Sequence, residues 1–530
     1  MESNIEKNKK LVNQLPINLI VNLTYFVLNF VISMALVPYF ITTLGRDAYS
    51  IIGLAVSITA YVTLIVLSLN TAVSRFLTVD LQKNDYKSAN KTFNTAIIGL
   101  SALVILMIPL IIIIAYNVPH IFNIPPGQDN DVRLFFLGVF TAFLITTWTG
   151  NFTVQLFALN RIDLQIIVNA TIFLTQNGLI VLFFHLYHPS LAYIGIAYPI
   201  GAICSSMLSI IFAKRVCTHL HVLPSLFDFT QLKTLFDMSI WAMIDQLGTL
   251  LFLSIDMIII NKLFFSIAGQ YYPVLCISAV MRNIASTISG VLVPIVYTYY
   301  ARNQIEALIN MVVSAVKIMG IFMALPIGLL CGFSTQILTI WLPNNITPWS
   351  FAPLLMLMAF PLTINLSILP LFSINYAYNK IKVPGIMTLI LGAGNFALAV
   401  AMPLAMIHIL HLSGIAFYGV ALAGAIMISI RNAVFIPWYA GRIMGVNPAV
   451  FFRSMTTGVL CTIIVMAISL ALGKCPFIHI TSFITLIPIG GIIGVVYLLM
   501  AWKFAFSSFE RWQFKNVTPP FLRRVLEGIP

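Results

Sequence analysis

The sequence predicts an all-α polytopic membrane protein with about fourteen transmembrane helices: two six-helix lobes related by a parallel repeat, plus two extra C-terminal helices. Three observations predict it. Of the 530 residues, 60% are hydrophobic and only 8% charged, with a mean hydropathy of +1.00, whereas a soluble chain would carry roughly a quarter charged residues. The apolar residues come in long runs, and a helix crossing the hydrocarbon core needs about 20 of them; barrel strands would instead alternate over about ten. Lysine and arginine collect in alternate loops, as the topology of a multi-pass protein requires.

The helices follow in order. The polar, basic start MESNIEKNKK leads into a long apolar run without a small-residue cleavage site, so 17–43 is a retained helix rather than a cleaved signal. Further spans are expected at 48–73, 93–116, 132–158, 164–187, 193–214, 238–260, 270–298, 308–333, 350–377, 383–410, 413–439, 454–472 and 482–506. One set of loops carries Lys7, Lys9, Lys10, Arg75, Lys83, Lys87, Lys91, Arg161, Lys214, Arg215, Lys233, Arg302, Lys380, Lys382, Arg442, Arg453 and the basic tail. The other set carries Arg46, Arg133, Lys262 and Lys474. This bias places both termini in the cytoplasm, in a chain of the cell inner (cytoplasmic) membrane.

The chain repeats itself. The stretch LGRDAYSIIGLAV…SRFLTVDLQKNDYKSANK has its counterpart roughly 220 residues on, in FSIAGQYYPVLCISAV…YYARNQIEALIN. Equal orientation of the halves makes the repeat parallel, with an axis along the membrane normal. The expected organisation is an N-terminal lobe 1–216, a cytoplasmic linker 217–237, a second lobe 238–440, helices 13 and 14 within 441–506, and a basic, aromatic tail 507–530 lying on the inner leaflet.

Polar groups inside the apolar spans carry the functional signal. Arg282 stands mid-span, at a cost of roughly 2.5–3.5 kcal/mol on insertion scales, and a guanidinium keeps its charge. It shares a face with Ser278, Ser286 and Ser289 at helical spacing. Lys317 and Arg431 add cations to the same half, while the repeat-related positions near Thr59, Asn94 and Leu208 are uncharged. The pattern reads as an anion-binding wall for phosphate or pyrophosphate; the competing reading has Lys317 and Arg431 snorkel to the interface. Asp245 and Asp256, eleven residues apart on one expected helix, are candidates for H+ or Na+ coupling, or for structural pairs with Arg282 and Lys317. Helix 1 lines up Asn18, Asn22, Asn29 and Ser33, and with the hydroxyls and amides of helices 4, 5 and 10 (Asn365, Ser367 and Asn375 among them) these suit sugar hydroxyls in a wet cavity, or hydrogen bonds between helices.

Other function classes lose ground. The net charge of +13 lies in short loops, where it sets topology and meets anionic lipid rather than nucleic acid. The six cysteines lack metal spacing, and His408 with His411, or His219 with His221, lack further ligands. No P-loop occurs and no loop offers a nucleophile with its base, so neither ATP hydrolysis nor enzymatic chemistry is expected, and no cofactor.

The stretch VPYFITTLGRDAYSIIGLAVSITAYVTLIVLSLNTAVSRF resembles the polysaccharide-transporter (O-antigen flippase) family of the multidrug/oligosaccharidyl-lipid/polysaccharide exporter superfamily, through Pro38, Leu44, Gly45, Tyr49 and Arg75. Asp256 in LFLSIDMIIINKLF matches an aspartate common there, while Ser50 and Asn70 stand where that family often has glycine. The resemblance implies two lobes around a cavity that opens alternately to each side. It implies movement of a polyprenyl-(di)phosphate-linked oligosaccharide to the outer leaflet for polysaccharide synthesis, with the cations holding the phosphate, and a glycan-polymerase complex as a partner. A peptidoglycan-precursor flippase and an ion-coupled multidrug or metabolite antiporter are the alternatives. The antiporter would favour an acid in helix 1, which has none.

Overall fold

The computed structural model describes residues 2–511 except 83–84, 160, 291, 293–295, 297–298, 301–302, 343–347, 379, 477–479 and 508–510. The tail expected at the inner leaflet therefore lies almost wholly outside the described residues. Those described are nearly all helical, without a strand among them. Among the described residues thirteen helices are long and apolar enough to cross a membrane. The helix carrying Arg282, Phe265–Gly290, is long enough at 26 residues but is not one of the thirteen; it corresponds to the expected span 270–298.

Contacts divide the chain into two compact units, Met1–Leu250 with Met257–Gly269, and Leu251–Asp256 with Gln270–Pro530. The first unit contains α1 (Glu2–Leu44), α2 (Arg46–Gln82), α3 (Tyr86–Ile121), α4 (Asp129–Ala158), α5 (Ile162–Leu186), α6 (Leu191–Val216) and most of α7 (Phe229–Leu253) and α8 (Ile255–Leu263). Gly45, at φ +86°, makes the tight turn between α1 and α2, a backbone conformation glycine adopts without strain. Leu69, Val73 and Leu77 of α2 pack with Phe93, Ile97 and Leu100 of α3, Phe152 of α4 and Leu235 of α7. Helices α4 and α6 meet at glycines: a Cβ on Gly138 would lie 1.8 Å from the Gly195 carbonyl oxygen. Lipid tails are as apolar as leucine, so close backbone approach and dispersion hold such pairs together.

The second unit contains most of α9 (Phe265–Gly290), and α10 (Ile305–Gly332), α11 (Ser334–Trp341), α12 (Pro348–Ala359), α13 (Leu362–Ser367), α14 (Leu369–Ala377), α15 (Lys382–His408), α16 (Tyr418–Ser429), α17 (Ile436–Met444), α18 (Ala449–Gly473) and α19 (Phe483–Met500). The span expected as one helix over 350–377 is broken into three pieces, with Pro361 and Pro370 at the breaks, since proline removes a helical N–H and clashes with the preceding turn. A π-helical turn, Ile430–Phe435, interrupts the expected span 413–439. Small residues again set the closest contact: Gly320, Gly328 and Gly332 of α10 lie against Gly458, Val465 and Ser469 of α18. The two extra C-terminal helices pack on α10, where the Tyr497 hydroxyl donates to the Ile321 carbonyl at 2.7 Å.

Candidate functional site

The expected helix 7 does not run straight through. It breaks at Ser254 between α7 and α8, so the eleven-residue spacing of Asp245 and Asp256 no longer implies a shared face. Asp256 falls in the first turn of α8, where free N–H groups and the helix dipole favour a carboxylate. Leu251, just before the break, accepts a hydrogen bond from Asn395 Nδ2 at 2.7 Å.

Asp256, Ser278, Arg282 and Asn365 line one cavity of about 50 Å³ in the second unit. Three of them are nine-tenths buried or more: Asp256 is 7% exposed, Ser278 2% and Asn365 3%. Asp256 Oδ1, Ser278 Oγ and both side-chain polar atoms of Asn365 are buried without a hydrogen-bond partner. Buried polar atoms normally find partners, so such a cluster calls for an occupant. Ala421, Gly424 and Ala425 of α16 line the cavity as well, and their short side chains leave it open. The space suits about three waters or one ion.

Arg282 and Asp256 act on each other electrostatically. They do not close to a direct ion pair of the kind that Lys91 makes with Asp228 and Arg161 with Asp163. The Tyr271 hydroxyl, on a fully buried ring, comes up beside the Asp256 carboxyl without completing a hydrogen bond. The site thus offers guanidinium and amide donors to an anion, and carboxylate, hydroxyl and amide oxygens to a cation.

Of the other residues singled out from the sequence, Lys317 and Arg431 do not line this cavity. Lys317 is half-buried on α10, within electrostatic reach of Cys461 on α18. Arg431 is buried in the π-helical turn, where its Nε donates to Thr388 Oγ1 at 2.9 Å and its guanidinium stacks over the Phe372 ring at 5.0 Å. The three cations therefore do not form one wall. Asp245 is half-buried in the first unit.

The amide stripe of helix 1 is also divided. Asn18 is buried and its Oδ1 accepts from the Asp163 N–H at 3.0 Å, at the start of α5. Asn22 is exposed, and Asn29 is half-buried with its Nδ2 directed at the Tyr25 hydroxyl at 3.5 Å. Asn94, the uncharged repeat equivalent, binds the main chain of the inter-lobe linker.

The first unit holds a different cavity, about 370 Å³ and lined mainly by apolar groups including Val56, Leu64, Val139 and Leu250. Thr59 and Thr63 line it but donate their hydroxyls to their own helix, at 2.7 and 2.8 Å, which leaves them only as acceptors. Sequence reasoning placed Ser278 with Arg282 and named Asn365 and Asp256. It missed Tyr271 and the small residues of α16, whose only signal is an A-x-x-G-A spacing.

No protein-family model matches the chain. Over 499 residues it is 30% identical to the uncharacterized membrane protein EpsK of Bacillus subtilis (strain 168), covering 93% of this chain and 96% of that protein. Among solved structures, the lipid II flippase MurJ in an inward closed conformation is similar at a TM-score of 0.60 and 15% identity, over 90% of this chain and 98% of that one. An inward-facing multidrug resistance MATE family transporter of the MOP superfamily gives 0.58 at 13% identity, over 80% and 98%. A MOP superfamily transporter from Pyrococcus furiosus, described as having a binding pocket of reversed polarity, gives 0.57 at 14% identity, over 82% and 96%. At these identities the likeness establishes the fold.

Proposed function

The chain belongs to the family of the membrane protein EpsK, and from that premise we propose that it is a flippase for a polyprenyl-(di)phosphate-linked oligosaccharide, moved from the cytoplasmic to the outer leaflet for cell-surface polysaccharide synthesis. The observation that carries this reading is Arg282: a guanidinium within an apolar helix, beside buried polar groups that have no partner, in a cavity of a membrane fold. Charge at bilayer depth is retained where it meets a substrate, an ion or a partner charge. Arg282 supplies five N–H donors suited to phosphate oxygens, and Ser278 and Asn365 Nδ2 extend the donor set.

The cavity as it stands admits an ion or a single oxyanion group rather than a glycan, so its role is to meet the charged head and to be linked to a coupling ion. Asp256 is the group that would hold H+ or Na+, and its attraction to Arg282 makes the two occupancies interdependent: an anion drawn to Arg282 weakens that residue's hold on Asp256. The fold shared with MurJ supports movement of a lipid-linked substrate. The same likeness keeps a peptidoglycan precursor as the alternative cargo, and the likeness to the MATE transporter keeps an ion-coupled antiporter.

Proteoliposomes test this directly. Wild type and Arg282→Ala are given a fluorescent polyprenyl-diphosphate oligosaccharide, a lipid-linked peptidoglycan precursor and a cationic dye. Glycolipid translocation that is lost in Arg282→Ala is the expected result. Dye export under an ion gradient, with no glycolipid movement and no effect of the substitution, overturns it in favour of the antiporter; movement of the peptidoglycan precursor alone reassigns the cargo.

A further inference from the structure

The segment between α6 and α7 is not a loose tether. Two asparagines one helical turn apart on α3 grip its main chain from one side. Asn90 Nδ2 donates to the His219 carbonyl at 2.8 Å while its Oδ1 accepts from the His221 N–H at 2.9 Å. Asn94 repeats the pattern, donating to the His221 carbonyl at 2.8 Å and accepting from the Leu223 N–H at 2.6 Å. Alternate residues of the segment are thus held as a neighbouring β-strand would hold them. The His219 ring lies on Tyr86 with centroids 4.2 Å apart. At the far end Asp228 caps α7, accepting from the N–H groups of Thr230 and Gln231, and pairs with Lys91.

What this fixed strap presents outward is apolar and basic. Val222, Leu223, Phe227 and Phe229 are exposed, Phe229 by 72%. The stripe continues along α7 through Lys233, Phe236 and Ile240, spaced four, three and four residues apart and so on one face of the helix. The adjoining face turns inward, with Leu235 fully buried and Leu232 Cδ1 over Gly99. Lys87, Lys214 and Arg215 are exposed at the same end of the unit. α7 continues into a candidate membrane span that includes Met243–Leu263.

We propose that the strap 217–228 and the first turns of α7 form a docking surface for anionic lipid headgroups, with Phe227, Phe229 and Phe236 entering the interface and Lys214, Arg215 and Lys233 meeting the charge. Three observations select lipid as the occupant. The surface runs directly into a membrane span. Aromatic and basic residues lie together along it, the composition of interfacial segments. Its cations belong to the basic set of loops, where an anionic leaflet attracts lysine and arginine. The asparagine grip gives the surface its function: a flexible loop would trade apolar contact with the interface for conformational entropy, whereas this one is already ordered.

The experiment does not depend on any transported substrate. Nitroxide labels are placed at Phe227→Cys and Phe229→Cys in a cysteine-free protein, with a reference label at Asn130→Cys on the exposed first turn of α4, and collision with oxygen and with an aqueous nickel chelate is measured in nanodiscs. The expected result is a ratio of oxygen to nickel collisions several-fold above the reference at both positions. It should be higher in discs with phosphatidylglycerol than in phosphatidylcholine alone, and the lipid dependence should be lost in Lys233→Gln/Arg215→Gln. Labels as open to nickel as the reference, or shielded from oxygen and nickel alike as a protein partner would shield them, overturn the docking surface. A depth that ignores lipid charge overturns the headgroup assignment.

Discussion

Replacing Arg282 with methionine leaves Asp256 buried in its cavity without the cation that faces it, and the size of that loss can be worked from the geometry. The two charges are more than 4 Å apart, since they form no direct ion pair, yet each acts on the other. At a separation of ~6 Å and an effective dielectric constant of ~20, the attraction is about 3 kcal/mol. Removing one partner of a buried pair costs about 3–5 kcal/mol, because the remaining charge is stranded. Arg282→Met and Asp256→Asn are therefore each expected to lower thermal stability in detergent by several degrees. The double variant, which strands neither charge, should lie well above the sum of the two losses, with a coupling of about 3 kcal/mol in the cycle. Arg282→Lys separates charge from shape: it should recover most of the stability but not the donor fork. Additivity within ~0.5 kcal/mol, the tolerance for independent sites, would refute the view that these groups form one site.

Three further outcomes are expected. Gly138→Ala drives a Cβ to 1.8 Å from the Gly195 carbonyl and should destabilise by about 1–3 kcal/mol or more, as overpacking does; Gly178→Ala, with nothing within 4 Å, should be neutral or slightly stabilising in the same melting experiment. Asn94→Ala removes two hydrogen bonds to the strap, each with a net value of about 0.5–1.5 kcal/mol, so exchange of the Leu223 amide should speed up roughly 5- to 100-fold by mass spectrometry. The Lys91 ammonium, with two α7 N–H groups, holds the Asp228 carboxyl down at about 2 against an ordinary 3.8. A depressed carboxyl contributes stability that is fully present above its unfolded value and is lost as pH falls through the folded one. Pepsin cleavage within 217–228 should accordingly rise as pH drops from about 4 to about 2, and Asp228→Asn should flatten that dependence.

Individual residues show how far the sequence reached. Hydropathy located the spans because every residue of a lipid-facing run contributes to it, and it marked Arg282 because a single cation in such a run is conspicuous. It also overstated continuity. The span 350–377 is three helices and α7 ends at Leu253, and neither break lowers hydropathy, since proline and serine interrupt hydrogen bonding without making the segment polar. The grouping of Arg282 with Lys317 and Arg431 relied on sharing a half of the chain. Packing separated them: Arg431 turns to Thr388 and Phe372, and Lys317 toward α18. Asn18 reads as a cavity amide in sequence, and Asn94 only as an uncharged repeat position, yet both serve main-chain groups in the fold, because an amide's chemistry is the same for a sugar hydroxyl and for a peptide.

By itself, the sequence determined that this chain lives in a membrane, that its connecting segments divide into a basic set and a poor one, and that it keeps at least one charge where lipid would exclude it. Each of these is a sum or a contrast along one dimension, and transfer free energy is additive along the chain. Only the tertiary structure decided that Asp256, Ser278, Arg282 and Asn365 converge on one cavity, and that the linker is clasped to α3. Those depend on how each helix is rotated and where it breaks. In a membrane, where apolar surface is satisfied by lipid as well as by protein, that rotation is set by close contacts such as Gly138 on Gly195, which no pattern of hydropathy records.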